Sequence, residues 1–418
     1  MQIVATSFLV IWLIEEHTIM SNISESIVNE QRKPDAVYVL HDNTGNAKYG
    51  GKVCFLGVTK QEVAIHDTKG KSLVSVQFVD IIGVKKDKQI LEIYQYIVKS
   101  SCFCSSNSRE LSTVIIAFDC DQSVVKNWVH VINAYAAQGT PVRIADSTDY
   151  EAPKKRKFVV FVNPHSGPGK SLKIWKTEVN HMLSEANIDV ELVITTHSNH
   201  ACDYIQNLEN LLSYDGVSTI GGDGILSEVV TGISLREDGK QIFSEVPIIP
   251  IPGGTSNGLV KSMLFASGIE YSVVNAVFLC LKGSASRLDM SLLSTASQKK
   301  YHSFLILGWG LISNIDIMSE GMRWMGEPRL YVAAVYYILR NFRYQGKLSI
   351  LEATDDNKDF RVGDMPALTK PIPGCDVDST TPVDIENPNP MVSNIPKTSN
   401  WKVMEGKFTM VFVAQTSH

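Results

Sequence analysis

At 418 residues, with 44% hydrophobic and 20% charged side chains, the chain is long enough for two or three domains and is not disordered throughout. A formal net charge of -5 supplies no global attraction to nucleic acid or anionic lipid, so any such attraction must come from local patches. The seven cysteines, odd in number and irregular in spacing, fit reduced cytosolic thiols, and Cys102 and Cys104 form only a C-x-C without a second pair at metal-ligand spacing.

The stretch Ile3 to Ile14 is largely apolar yet too short to span a bilayer as a helix. No Lys or Arg precedes it and Glu15-Glu16 follow, which argues against a cleaved signal peptide, so residues 1–35 read as a flexible or weakly membrane-seeking extension. Over residues 36–140 short β-runs alternate with turns: Val37 to Leu40, Gly51 to Leu56, Glu62 to His66, Leu73 to Val79, Gln89 to Val98 and Val114 to Phe118. A helical stretch follows with Val124, Trp128, Val131 and Ile132 on one face. Strands closed by one C-terminal helix carrying a Trp resemble a pleckstrin-homology-like barrel; any other small all-β domain fits the pattern too, because this fold has no strict motif.

Residues 141–156 read as a linker. The basic run Pro153-Lys154-Lys155-Arg156-Lys157 fits either a nuclear-import or anionic-lipid patch or a solvated edge before a buried strand. From 157 to 285 strands and helices alternate, the pattern of a three-layer α/β domain with its sites at the strand ends. Beyond it the signal turns to β at Leu288 to Leu293, Ser303 to Leu307, Ile312 to Ile317 and Lys347 to Leu351, interrupted by one helix from about Pro328 to Phe342. A second, mostly antiparallel β domain is therefore predicted over 286–352 and 401–418. Between its parts, residues 353–400 are rich in Pro, Asp, Thr and Asn without periodicity and read as a disordered insertion. The strand Lys407 to Val413 then ends without a visible partner.

The chemistry concentrates at three strand–turn–helix units. Val217 to Ile220 runs into Gly221-Gly222-Asp223-Gly224 and then an amphipathic stretch beginning at about Ile225. Glycines let backbone N–H groups approach a phosphoryl group, the helix points its positive end at the same place, and the aspartate can act as base toward a hydroxyl. Gly-Asp-Gly alone is also an ordinary hairpin signal. Two companions weigh against that reading. Phe158 to Val162 ends in Asn163-Pro164-His165-Ser166-Gly167-Pro168-Gly169-Lys170, followed by Leu172, Trp175, Val179 and Leu183 at helical spacing, and Val246 to Pro252 runs into Gly253-Gly254-Thr255-Ser256-Asn257-Gly258. Gly169-Lys170-Ser171 invites comparison with a Walker P-loop, but that pattern needs glycine where this chain has Pro164, so the comparison fails.

The three turns and their order, over roughly Lys157 to Gly346, resemble the lipid kinase family that includes diacylglycerol, ceramide and sphingosine kinases, and come closest to the sphingosine kinases. The resemblance implies ATP and Mg2+ as cofactors, and assigns Asn163, Pro164 and His165 to the nucleotide; many members carry a basic residue where this chain has His165, which keeps a donor but weakens the contact. It sets Thr195, Thr196 and Asn199 along the adenosine pocket, although Thr195 to Asn199 also reads as a helix cap. Gly221, Gly222, Asp223 and Gly224 become substrate-binding, with Asp223 the base, while Glu228 faces the nucleotide and metal. Gly254, Thr255 and Ser256 match the third phosphate-side turn.

Asp316, in Trp309-Gly310-Leu311-Ile312-Ser313-Asn314-Ile315-Asp316, resembles the aspartate that pairs with the amine of a sphingoid base, a pairing that suits a carboxylate beside an apolar tunnel. Arg323 and Arg329 match arginines that contact ATP phosphates through bidentate donors. No residue is assigned to the metal. A late Asp-Gly-Glu carried by sphingosine kinases does not occur after Asp316, so the second domain reads as incomplete and the chain as C-terminally truncated.

The expected activity is ATP-dependent phosphorylation of the primary hydroxyl of sphingosine and related sphingoid bases by a cytoplasmic enzyme peripherally associated with membranes, without nucleic-acid partners and with the oligomeric state open. A ceramide or diacylglycerol kinase is the alternative, which Asp316 argues against, as is a truncated lipid-binding form with little catalysis. NAD kinase shares a Gly-Gly-Asp-Gly turn, but has no evident use for the β-rich N-terminal domain or Asp316.

Overall fold

Runs of alternating apolar residues, broken at Gly50-Gly51, Thr68 to Gly70 and Lys88, fold residues 40–138 into an antiparallel meander followed by one helix. The computed structural model describes residues 2–13, 40–59, 61–99, 108–138, 155–167, 169–254, 257–294, 300–326, 328–351 and 401–414. It divides into two units, Val10–Arg287 and Leu288–Ser417 with Met1–Leu9. After β1 (Gln2–Leu13), the meander comprises β2 (Leu40–Tyr49), β3 (Lys52–Val58), β4 (Glu62–Asp67), β5 (Ser72–Gln77), β6 (Ile81–Asp87), β7 (Ile90–Lys99) and β8 (Ser108–Phe118), and α1 (Gln122–Gln138) follows. Its strand order is β5-β4-β3-β2-β8-β7-β6. Beyond a register shift between Asp42 and Ala47, β2 pairs with both β3 and β8, which joins the two halves of the sheet.

The helix buries Val125, Trp128, Ile132 and Tyr135 against Leu56, Ile65, Leu91 and Ile116. The sequence pattern puts Val124 on that face, but Val124 is 39% exposed. Steps of three, four and three residues keep one stripe, and Val124 lies about 100° round the helix from Val125. β6 was not foreseen, because Gly83 and Lys85-Lys86 interrupt its apolar pattern.

Strand and helix then alternate: β9 (Lys157–Val162), α2 (Ser171–Ile174), a π-helical segment Trp175–Val179, α3 (Asn180–Glu185), β10 (Asp189–Ile194), α4 (His200–Asn207), β11 (Gly216–Gly221), α5 (Asp223–Ser234), α6 (Gly239–Glu245), β12 (Ile248–Pro252), α7 (Gly258–Ala266) and α8 (Val273–Lys282). The strands stand in the order β10-β9-β11-β12, all parallel. Period-two alternation sends Phe158, Val160 and Val162 into a core with Trp175, Met182 and Phe278, while Phe161 meets Tyr204 of α4 edge-on at 5.6 Å. Helices thus cover both faces, as the three-layer α/β expectation required. The chain leaves β9 toward β10 on one side and leaves β11 toward β12 on the other, which puts a topological switch point between β9 and β11 at their carboxyl ends. α5 begins at Asp223, two residues earlier than the pattern placed it.

Residues 2–13, expected to be a flexible extension, form β1 instead, pairing in parallel at Ile11 with Ile248. Their β-branched and aromatic content favours that state. The linker residues 141–154 and the expected insertion 353–400 lie outside the described residues.

The meander and the α/β layers share a core. Ile82 and Tyr96 pack with Trp175, Met182, Phe278 and Leu281. At Gly83 a Cβ would lie 2.0 Å from the Glu185 carbonyl oxygen, so only glycine allows β6 to approach α3 this closely. Tyr96 Oη donates to Glu185 Oε2 at 2.9 Å, and Lys85 Nζ donates to Ser184 Oγ at 3.0 Å. Burial and the Glu185 carboxylate hold the Tyr96 hydroxyl far above its ordinary value, so it stays a donor. The Arg109 guanidinium lies 3.7 Å from the centre of the Phe278 ring and pairs with Asp80 at 2.7 Å. Lys282, at the end of α8, donates to the carbonyl of Phe78 at 3.0 Å and to that of Ala136 in the last turn of α1, where a cation complements the helix dipole.

The second unit contains most of β13 (Ser284–Ser294), then β14 (Lys300–Ser303), β15 (Ile306–Gly310), α9 (Leu311–Glu320), α10 (Pro328–Arg340), β16 (Tyr344–Leu351), β17 (Trp401–Phe408) and β18 (Met410–Ala414). Its pairings β13–β14, β15–β18 and β16–β17 are antiparallel, as expected. Trp309 packs edge-on against Tyr344 at 5.8 Å and Phe408 at 6.3 Å. The strand expected over Ile312 to Ile317 is the helix α9: Gly310 takes φ +83 and turns the chain, after which Leu311, Ile315 and Met318 recur at helical spacing. The strand Lys407 to Val413, expected to lack a partner, breaks at Thr409, and its halves pair with β16 and β15.

Desolvation, reinforced by the nearby Arg156 guanidinium, lowers the Lys282 ammonium from 10.5 to about 8. Between these values the unfolded chain binds more protons than the folded one, so this group's contribution to stability rises with pH across that window. In urea unfolding, the stability of the wild type relative to Lys282→Met is expected to increase from pH 8 to pH 10; a difference that stays flat or falls contradicts the assignment.

Candidate active site

Three turns leave the carboxyl ends of β9, β11 and β12 and are laced together through main chain. Asn163 N donates to Ile220 O at 3.1 Å, and both Gly253 N and Gly254 N donate to Gly221 O, at 2.8 and 2.9 Å. Ser171 Oγ, at the start of α2, donates to Gly253 O at 3.1 Å. A Cβ on Gly254 would lie 2.5 Å from Gly222 Cα and 2.8 Å from Gly222 N. One on Gly253 would lie 2.5 Å from Ser171 Oγ. These glycines have no left-handed φ, so space and not dihedral freedom demands them. Gly224 differs, since nothing lies within 4 Å of a Cβ built there.

Asp223 is fixed by the neighbouring helix. Its Oδ2 accepts from Gly258 N at 2.8 Å and its Oδ1 from Leu259 N at 3.3 Å, so the carboxylate caps α7 with both oxygens. It stands in the first turn of α5, whose own leading N–H groups and dipole favour an anion. Asn257, in the left-handed region at φ 48, accepts from Gly254 N at 3.0 Å and donates to Gly254 O at 2.8 Å and Tyr271 Oη at 2.9 Å. The third turn's shape is therefore held by its own side chain.

In the first turn, Asn163 Oδ1 accepts from His165 N at 2.9 Å, forming an Asx turn around the partly buried Pro164 and leaving the imidazole exposed. At the end of β10 the structure departs from expectation. Thr195 is buried and directs its hydroxyl at Val162 O, 3.4 Å away, because it continues the pairing of β10 with β9. Thr196 is exposed, with Oγ1 2.9 Å from His197 Nδ1, and the His197 and His200 rings stack at 4.8 Å. Asn199 takes φ 65 and makes no side-chain cap. The cap reading fails there because Glu228 supplies an acceptor from outside: its Oε2 accepts from Ala201 N at 3.2 Å, joining α5 to the start of α4.

Asp316, Arg323 and Arg329 belong to the second unit. Asp316 is exposed on α9, and its carboxylate has no hydrogen-bond or ionic partner among the described residues. Arg329 is buried at 8%, donates to Ser319 O at 3.3 Å, pairs with Glu320 at 3.4 Å and keeps an Nε without a partner among the described residues. The side chain of Arg323, and Thr255 and Ser256, lie outside the described residues.

A cleft of about 190 Å³ opens beside the third turn, lined by Lys170, Ile174, Gly253, Gly254, Asn257 and Tyr271 among others. Lys170, Asn257 and Tyr271 were not foreseen as site residues. Lys170 was visible in Gly169-Lys170-Ser171 and Asn257 in the third turn, whereas Tyr271 carries no local signal because it enters from the segment before α8. Together the elements offer an anchored carboxylate, a helix start able to receive an anion, and a cation beside a glycine turn. Such an assembly can hold a phosphate and take a proton from a hydroxyl.

Residues 157–293 match the diacylglycerol kinase catalytic domain family. Sphingosine kinase 1 of Arabidopsis thaliana is 36% identical over 200 residues, covering 48% of this chain and 41% of the relative. Sphingoid long chain base kinase 4 of Schizosaccharomyces pombe is 36% identical over 190 residues, covering 46% of this chain and 39% of the relative. Sphingosine kinase 1 of Homo sapiens is 30% identical over 204 residues, covering 48% and 53%. The chain thus spans about half or less of the curated relatives it matches. A solved structure of a diacylglycerol kinase from Bacillus anthracis str. Sterne is 23% identical, covers 40% of this chain and 54% of that one, and superposes with a TM-score of 0.31, too loosely to bear on the fold.

The close approach of the turns yields a paired expectation. Gly254→Ala should lower stability by about 1–3 kcal/mol through the clash with Gly222, whereas Gly224→Ala should be neutral or stabilising by up to about 1 kcal/mol. Urea midpoints of the two variants test this, and equal effects would refute the steric account.

Proposed function

We propose that this chain, whose residues 157–293 belong to the diacylglycerol kinase catalytic-domain family, is an ATP-dependent lipid kinase that phosphorylates the primary hydroxyl of sphingosine and related sphingoid bases. The observation that carries the reading is the Asp223 carboxylate, held by the amides of Gly258 and Leu259 at the start of α5 and beside two interlocked glycine turns. The sphingosine kinase relatives at 30–36% identity support a sphingoid base as acceptor.

Phosphoryl transfer needs little covalent help: the γ-phosphoryl must be held in line with the attacking hydroxyl and its charge offset. The start of α5 supplies backbone donors for the phosphates, and Asp223, immobilised by its two amide partners, accepts the proton as the lipid oxygen bonds to phosphorus and the bond to ADP breaks. Magnesium fits as a partner of the nucleotide. Among the described residues no three ligating side chains cluster, and Mg2+ is ordinarily held by one or two carboxylates together with substrate phosphates, a role open to Glu228. When bound, it offsets phosphate charge.

By the same reading, Asn163, Pro164, His165, Thr196 and Asn199 meet the nucleotide, Arg323 and Arg329 its phosphates, and Asp316 the ammonium of the lipid. The exposed, uncommitted carboxylate of Asp316 supports that last role. Peripheral membrane contact is supported by α10, which leaves Tyr331, Val335, Ile338 and Leu339 exposed, with Trp324 just before it. No described helix is long and apolar enough to cross a membrane. The meander with its closing helix is proposed to be a pleckstrin-homology-like domain on the strength of its strand order.

Transfer of labelled phosphate from ATP to sphingosine, ceramide and diacylglycerol by the purified chain tests the proposal; transfer to neutral lipids alone, or to none, defeats it. Asp223→Asn should lower kcat about 10²–10⁴-fold while ATP binding stays nearly unchanged, because a base is removed without a phosphate donor. Asp316→Asn should raise the KM for sphingosine and leave the KM for ATP in place; an equal change with a neutral lipid would end the amine-pairing role.

A further inference from the structure

The kinase reading makes Asp223 the base, and resting on it we infer that Asn257 is a positioning residue for that base, bracing the third glycine turn so that the start of α7 holds the carboxylate. Asn257 is the N-cap of α7, its carbonyl accepting from Lys261 N at 3.0 Å. An asparagine in that place ordinarily has extended backbone and turns its side chain forward onto the second or third amide of its own helix. This one does neither. Its backbone is left-handed, at φ 48 and ψ 49, and its side chain makes no cap to α7. The side chain reaches back instead: Oδ1 accepts from Gly254 N at 3.0 Å, and Nδ2 donates to Gly254 O at 2.8 Å and to Tyr271 Oη at 2.9 Å.

The leading amides of α7 are thereby left to an acceptor from another element, and Asp223 fills that place at 2.8 Å from Gly258 N and 3.3 Å from Leu259 N. Asn257 itself is only 2% exposed, and both N–H donors of its side-chain amide are engaged, so it has none to offer a substrate. Its amide has one orientation that serves Gly254, because Gly254 N needs an acceptor and Gly254 O a donor. Tyr271 takes the remaining N–H, and rotation of the amide would break all three bonds.

These contacts close a ring. Gly222 packs against Gly254, Gly254 is bonded to the Asn257 side chain, Asn257 continues into Gly258, Gly258 N meets Asp223, and Asp223 follows Gly222. Apart from Asp223, Asn257 supplies the one side chain in that ring. Without it the third turn keeps its approach to Gly222 but loses the bonds that set the direction in which α7 departs. A carboxylate displaced by about 1 Å from its productive place can cost about 10²-fold in rate, so the loss falls on turnover and not on nucleotide affinity. An asparagine that served the fold alone would lower stability without separating the two.

Asn257→Gly is the direct variant, since glycine keeps the left-handed backbone and deletes only the side chain. Asn257→Asp also tolerates that backbone and keeps an acceptor for Gly254 N, but loses both donors. In the full chain, hydrogen exchange at Gly258 and Leu259, read by mass spectrometry against the amides of β11 as reference, reports the grip on the carboxylate, because the first amides of a helix have no partner within it. Asn257→Gly is expected to speed exchange there about 10-fold or more, as Asp223→Ala does, and to lower kcat with sphingosine about 10-fold or more while the KM for ATP stays within about 2-fold. Asn257→Asp should fall between it and the wild type, and carries the comparison alone if the glycine variant does not fold. Exchange unchanged within about 2-fold overturns the inference, as does an active kinase whose kcat is unchanged within about 2-fold. A KM for ATP that rises at constant kcat overturns it too, by making Asn257 a nucleotide contact. Failure of the kinase reading looks different: a chain that phosphorylates no lipid loses that reading, and the exchange rates alone then decide whether Asn257 holds Asp223 in place.

Discussion

Main chain meets main chain where the second and third glycine turns cross, with Gly254 packed so closely on Gly222 that a single methyl group would fall 2.5 Å from its Cα. That contact brings the amides of the third turn onto Gly221 O and places the start of α7 beside Asp223, whose two carboxylate oxygens it engages. Ser171 carries the first turn into the same arrangement through Gly253 O. For the carboxylate proposed as base, a fixed position matters more than many partners, and here the position comes from backbone amides. The arrangement also commits the amides of Gly253 and Gly254 to Gly221 O.

Two helical stretches run from this cleft to the N-terminal meander. The first begins at Lys170 and Ile174 and ends at Ser184 and Glu185 against Lys85, Gly83 and Tyr96; the second begins near Tyr271 and Val273 and ends at Phe278 and Lys282 against Arg109, Phe78 and Ala136. The meander is thus built into the same core as the α/β layers and is not tethered loosely to them. The Lys282 ammonium, satisfied by carbonyls of both β-rich and helical origin, joins the parts at a point where an unmet charge would be strongly unfavourable. The π-helical segment Trp175–Val179 lies midway along the first of these stretches, and its Trp175 and Val179 enter the shared core.

Wherever a local period governed, the amino-acid sequence was a sound guide. The alternation of Phe158 to Val162, the buried run Val217 to Ile220, and the three glycine turns at the strand ends led to the parallel layers and to Asp223 without reference to any distant residue. It misled where two patterns of similar strength competed: Ile312 to Ile317 is apolar enough for a strand, and the turn at Gly310, with φ +83, commits it to helix. The sequence shows no partner for the terminal strand because β15 and β16, although each carries a strand pattern, lie far from it along the chain, and no local period encodes which strands pair.

The sequence by itself determined which segments alternate, where glycine must interrupt them, and that a carboxylate stands at one interruption beside a helix start. Those are properties of contiguous residues, set by side-chain period and backbone freedom. Tertiary structure alone decided what that carboxylate touches, which glycine amides are already engaged, that Thr195 turns its hydroxyl to Val162, that Glu228 supplies the acceptor at the start of α4, and that Lys170 and Tyr271 share a cleft. The physical reason is the same in each case. A hydrogen bond needs a partner within about 3 Å, and the partner for each of these groups comes from a strand or helix elsewhere in the chain, at a distance that no local pattern encodes.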